Sequence, residues 1–97
     1  MEVTYKNAGI RKVCTNAQEA EKKYGILMAE KIHQRIDQIH AMDTVEHLVQ
    51  YKVGRCPLKG DRKNQYAMDL VHPQRLIFEK RGNEIQIANI LEIVDYH

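Results

Sequence analysis

Between Ile26 and Ala41 the apolar residues Ala29, Ile32, Ile36 and Ile39 recur at steps of three and four. That spacing draws one stripe along a helix and predicts an amphipathic α-helix over about 26–41. Lys31, Gln34, Arg35, Asp37 and Gln38 fill its polar face. Upstream, Thr15-Asn16-Ala17-Gln18 has the form of a capping box with Thr15 as N-cap. The helix it opens carries Ala17, Ala20 and Tyr24 on one stripe, and Gly25 ends it or bends it into the next. Residues 8–13 predict one helical turn. Before them Glu2-Val3-Thr4-Tyr5-Lys6 alternates, with Val3 and Tyr5 on one side, as a short strand does.

Beyond Met42 the texture changes. Residues 43–54 are mixed and predict a loop with a helical turn around Val45–Val49. Period-two alternation then takes over, with Tyr66, Met68 and Leu70 in one run and Leu76 and Phe78 in the next. His72-Pro73-Gln74 separates these two strands as a tight turn, because proline fixes its own φ and turns the preceding residue away from helix. Arg81-Gly82-Asn83 is a second turn, and Ile85 to Val94 a last strand. That strand is apolar on both faces through Ala88–Leu91, which places it centrally, under the helices. The prediction is an α+β fold: an antiparallel β-sheet with an N-terminal helical hairpin packed on one face.

Composition adds bounds. The 97 residues, 43% hydrophobic and 29% charged, suit one globular domain spanning 1–97. No uncharged run exceeds the seven residues Ile85–Leu91, against the roughly 18 a bilayer span requires, and no signal-peptide pattern opens the chain. The expectation is a cytoplasmic protein. Two cysteines, Cys14 and Cys56, form no CxxC pair and read as reduced, buried thiols. The net charge of +2 is unevenly placed. Lys52, Arg55, Lys59, Arg62 and Lys63 face the single acid Asp61 within one Gly-containing stretch. Such density suits phosphate contact, although a solvated loop explains it equally.

The familiar motifs of nucleotide-binding, metal-dependent and serine-hydrolase chemistry are missing: no GxGxxG, Walker A, HExxH, EF-hand or GxSxG occurs. His33, His40 and His47 repeat every seven residues, and the first two share a helix face about 10.5 Å apart along its axis, too far for one metal ion. No metal or cofactor is expected. Arg75 and His72 remain, with the terminal Asp95-Tyr96-His97. Arg75 leaves a turn on the face opposite Leu76 and Phe78, where its planar fork suits a phosphate or an ion pair with Glu79 or Asp69. Asp95, Tyr96 and His97 supply a carboxylate, a phenol and an imidazole, the groups that metal-free acid–base chemistry needs, at a position where frayed residues are common.

Taken in order, Leu58-Lys59-Gly60-Asp61-Arg62-Lys63, Gln65–Leu70, His72–Phe78 and Asp95-Tyr96-His97 resemble the HigB-like toxins of the RelE/ParE superfamily of bacterial toxin–antitoxin modules. The similarity includes Lys22-Lys23-Tyr24-Gly25 and Arg35. It implies a RelE-like fold and a bacterial, ribosome-dependent mRNA endoribonuclease without cofactor. The implied partners are the ribosome, the message and a cognate antitoxin, a helix-turn-helix protein encoded beside it. It implies Asp95, Tyr96, His97 and Arg75 as the catalytic group, and Lys59, Arg62 and Lys63 as contacts to RNA. Lys52, Arg55 and His72 join that RNA- and ribosome-binding set through their charge and position. Relatives commonly have a histidine just before Leu-Lys-Gly, where this chain has Cys56-Pro57. A ParE-like gyrase inhibitor and a catalytically inactive antitoxin-binding relative are the alternatives.

Overall fold

The computed structural model describes residues 1–50 and 64–95. Along the chain lie β1 (Glu2–Tyr5), α1 (Ala8–Thr15), α2 (Ala17–Tyr24), α3 (Ile26–Ala41), α4 (Val45–Gln50), β2 (Gln65–Asp69), β3 (Gln74–Arg81) and β4 (Ile87–Asp95). The four strands form one sheet in the order β1-β4-β3-β2.

The N-terminal helices depart from expectation in detail. Residues 8–15 form two turns rather than one, capped by the Asn7 side chain, which accepts from Ile10 N at 2.9 Å. Asn16, not Thr15, caps α2: its Oδ1 accepts from Gln18 N and Glu19 N. Thr15 instead belongs to α1, where its hydroxyl donates to Arg11 O. Both residues are competent caps, and the longer α1 takes Thr15 for itself, leaving Asn16 as the extended joint. Ala17, expected on the apolar stripe, is exposed, while Ala20 is buried and Tyr24 half-buried. Gly25 both stops α2, donating to Glu21 O at 2.8 Å, and starts α3, accepting from Ala29 N at 3.0 Å. Its φ of 89° lies where side chains are strained, so glycine makes this hairpin joint possible.

α3 spans the predicted residues and buries Met28, Ala29, Ile32, Ile36 and Ile39. They join Val13 and Cys14 of α1, Val45 and Leu48 of α4, and Tyr66, Met68, Leu76, Phe78, Ala88 and Ile90 of the sheet in one cluster. Each fully buried Ile or Leu in it contributes about 1.5–3 kcal/mol. Tyr66 and Phe78 are directly opposed across β2 and β3, with rings stacked at 5.6 Å.

The sheet is not wholly antiparallel: β1 runs parallel to β4, Val3 opposite Ala88 and Tyr5 opposite Ile90. Parallel neighbours need a long crossover, and everything between the two strands provides it. β4 thereby becomes an interior strand, and Ala88, Asn89 and Ile90 are all buried. A bulge skips Leu91, since Ile77 faces Glu92 whereas Phe78 faces Ile90. The shift lets Ile90 and Ile93, three apart, both turn to the core.

Ile85 is not in a strand. It is 85% exposed, in the turn from Gly82 to Gln86. Gly82 has φ 80°, and a Cβ there would stand 2.3 Å from Ile85 O, so the turn tolerates nothing larger. Gln86 leaves the alternation for a different reason. Its Oε1 accepts from the buried Val45 N at 2.8 Å, and its Nε2 donates to Glu46 Oε2 at 3.1 Å. Lys80 Nζ holds the other carboxylate oxygen at 3.1 Å, tying α4 to the β3–β4 hairpin.

Replacing Gln86 with alanine leaves the buried Val45 amide unpaired and should destabilise the protein by about 1–3 kcal/mol in urea unfolding. Glu46 lies below its usual 4.5 through its own backbone amide first, then Lys80 and Gln86. A lowered carboxyl stabilises the fold above pH 4.5 and loses that contribution as pH falls below it. Glu46→Gln should therefore flatten the acid limb of stability measured against pH.

Candidate active site

β2 ends, β3 begins and β4 ends at one edge of the sheet, so the turn bearing His72, the start of β3 and Asp95 are neighbours there. Leu70 N donates to Gln74 O, and Gln74 N to Val71 O, closing the turn with His72 exposed at its tip. The ladder sets Asp95 opposite Gln74, and Val94, Arg75 and Asp69 in one row across β4, β3 and β2. Arg75 lies in that row on the face away from Leu76 and Phe78, as expected.

Its partner is Asp69. Arg75 Nε and Asp69 Oδ1 are 3.1 Å apart, with 28% and 45% of the two side chains exposed. Pairs this open contribute roughly 0–1 kcal/mol, so the bond matters for orientation more than for stability. A further arginine reaches the same residue from the other layer. Arg35 of α3 donates from Nε to Asp69 O at 2.8 Å and from Nη1 to Gln38 Oε1 at 2.9 Å. Arg35, assigned to the solvent face by helical spacing, is in fact half-buried against the strand end. Its length lets the guanidinium reach past the edge of the apolar stripe, which the heptad-like pattern cannot reveal.

His72, Arg75 and Asp95 thus gather at one edge, joined by Asp69 and Arg35, which sequence reasoning did not place in the site. Tyr96 and His97 lie outside the described residues, as do Lys52, Arg55, Lys59, Arg62, Lys63 and the Cys56-Pro57 step. Among the described residues no group of three His, Cys, Asp or Glu side chains is arranged to hold a metal ion, and no helix is long and apolar enough to cross a membrane. His40 is exposed; His33 is half-buried, with Nε2 lacking a partner among the described residues.

The rest of the outer face is polar in a different manner. Thr4 Oγ1 donates to Asn89 Oδ1 at 2.7 Å, Asn89 Nδ2 to Glu79 Oε1 at 3.1 Å, and Arg81 Nε to the same oxygen at 3.0 Å. This chain of bonds satisfies Asn89, whose burial in a central strand would otherwise be costly. It binds Arg81 to Glu79 and leaves Arg75 as the arginine nearest Asp95 in the strand register.

This architecture, a mixed α+β layer of helices on a four-stranded sheet, is a RelE/ParE-like toxin fold. A solved structure, the YoeB/ParE toxin from Agrobacterium tumefaciens, matches over 100% of both chains with a TM-score of 0.59 and 13% sequence identity. No protein-family model and no curated protein matches the sequence.

Cys14 is not part of this edge. Burial pushes its thiol from 9.0 up to about 12, far from a reactive thiolate. The neutral buried thiol supports the fold fully below pH 9.0 and loses that contribution as pH rises toward 12. In a Cys56→Ser variant, a disulfide reagent at mildly alkaline pH should label Cys14 only after denaturation.

Proposed function

We propose that this chain is the toxin of a type II toxin–antitoxin module, a HigB-like endoribonuclease that cuts mRNA on the ribosome and is restrained by a cognate antitoxin. The observation that carries the reading is the meeting of Arg75, Asp95 and His72 at one sheet edge, where the chain runs on into Tyr96-His97, within a RelE/ParE-like fold. The motif resemblance and the basic run from Lys52 to Lys63 support it.

The chemistry needs no metal. The 2′-oxygen of a nucleotide gives up its proton to a base and attacks the adjacent phosphorus. The P–O5′ bond breaks as an acid protonates the leaving oxygen, giving a 2′,3′-cyclic phosphate and a 5′-hydroxyl. His97, oriented by Asp95, exchanges these protons. Arg75 and Lys59 stabilise the extra negative charge on the phosphorus oxygens, which is the larger electrostatic contribution. Tyr96 stacks on or orients a base, while Lys52, Arg55, Arg62, Lys63 and His72 hold the RNA backbone. DNA, lacking the 2′-hydroxyl, is not a substrate.

The test is cleavage of an mRNA on programmed ribosomes by purified wild type, His97→Ala and Arg75→Ala, with 5′-end mapping after induction in cells. Wild type should produce in-frame cuts ending in 5′-hydroxyls, and His97→Ala should be about 100-fold slower or worse. Growth arrest without new mRNA ends would replace this reading with a gyrase inhibitor. Neither arrest nor cuts would leave an inactive antitoxin-binding relative.

A further inference from the structure

Arg75 must present its guanidinium to a phosphate in one orientation, yet it is only the second residue of β3, beside a surface turn. Two neighbours limit that freedom. Asp69, its directly opposed cross-strand partner, takes Nε at 3.1 Å. Asp69 is itself the last residue of β2, and its carbonyl oxygen accepts from Arg35 Nε at 2.8 Å. Arg35 is braced in turn by Gln38, one helical turn further on, whose Oε1 accepts from Arg35 Nη1 at 2.9 Å. The strand end is therefore held on two sides, by the ladder to β3 through Leu70 N and Gln74 O, and by α3 through Arg35.

We infer that Arg35 and Asp69 are positioning residues: Arg35 pins the end of β2 to α3, and Asp69, so fixed, orients the Arg75 guanidinium for the phosphate. This rests on the nuclease reading for its chemical purpose, and on the Arg75–Asp69 and Arg35–Asp69 distances for its geometry. Asp69 is half-exposed and lies against the Arg75 guanidinium. Its ion pair is too open to hold the fold together, so orientation is the effect its removal exposes. Misplacing one charge-stabilising group by a small distance lowers the rate without weakening binding elsewhere.

The experiment compares wild type, Asp69→Ala, Arg75→Ala and the double variant in single-turnover cleavage on programmed ribosomes, with melting temperatures recorded. Asp69→Ala should lower the saturating rate about tenfold, with unchanged half-saturation and melting temperature, and should have no further effect once Arg75 is alanine. An unchanged or faster Asp69→Ala enzyme overturns the inference, as does a full additional loss on the Arg75→Ala background. A second readout separates this from the nuclease reading. In isotope-labelled free protein, the Arg75 Nε–Hε proton should exchange slowly with water in wild type and quickly in Asp69→Ala, with Arg35→Lys shifting the same signal. Wild type that cuts nothing while this difference persists would sink the nuclease reading and leave the positioning geometry standing. An Arg75 signal indifferent to Asp69 would sink the positioning.

Discussion

The parallel pairing of β1 with β4 is the constraint on which the rest of the structure depends. It joins the first strand to the last, so the helices and the β2–β3 hairpin are all enclosed within a single crossover. Because β4 is then interior, it must be apolar toward the helices and hydrogen-bonded on both edges, and Asn89 needs the Thr4 and Glu79 side chains to be buried at all. The antiparallel ladder to β3, on its other side, sets Asp95 opposite Gln74 and so carries the end of β4 to the edge where β2 and β3 turn. The candidate site is a consequence of strand order.

That edge is built across two layers. Arg75 and Asp69 come from neighbouring strands of the sheet, and Arg35 from the helix packed beneath it. Little of the folding stability resides there. The stability lies in the cluster beneath, in the Ile32, Ile36 and Ile39 stripe against Leu76, Phe78 and Ile90. The division has a physical logic, since an apolar layer holds position cheaply while the polar groups above it keep contact with solvent and with any anionic ligand. α4 repeats the arrangement at the other end of the hairpin, where Gln86 and Lys80 hold Glu46 and the first amide of the helix.

Periodicity made much of the fold legible. The steps of three and four in Ile26–Ala41 marked α3, the alternation around Tyr66 and Leu76 marked β2 and β3, and the two-faced apolar run at Ala88–Leu91 marked an interior strand. Choices between near-equivalent neighbours were not legible. Thr15 and Asn16 are both good caps, and which one serves is decided by how far α1 extends. Ile85 fits an alternating strand on paper, yet Gly82 and the side-chain bonds of Gln86 draw that segment into a turn. Of the site, Arg75, Asp95 and His72 were visible by residue type and position. Asp69 was visible as one of two possible ion-pair partners of Arg75, and the structure chooses it over Glu79. Arg35 was not visible, because it sat among helical surface residues.

The sequence by itself determined which segments are helical or extended, which of their faces are apolar, and which side chains carry chemistry, because each of these follows from local spacing and residue type. The tertiary structure decided the direction of β1 against β4, the bulge that skips Leu91, and the joining of Arg35 to Asp69. Those contacts span 34 residues in one case and the length of the chain in another. No local pattern encodes a partner that far away. It is fixed only when the whole apolar stripe of α3 is buried and every strand edge has found its neighbour.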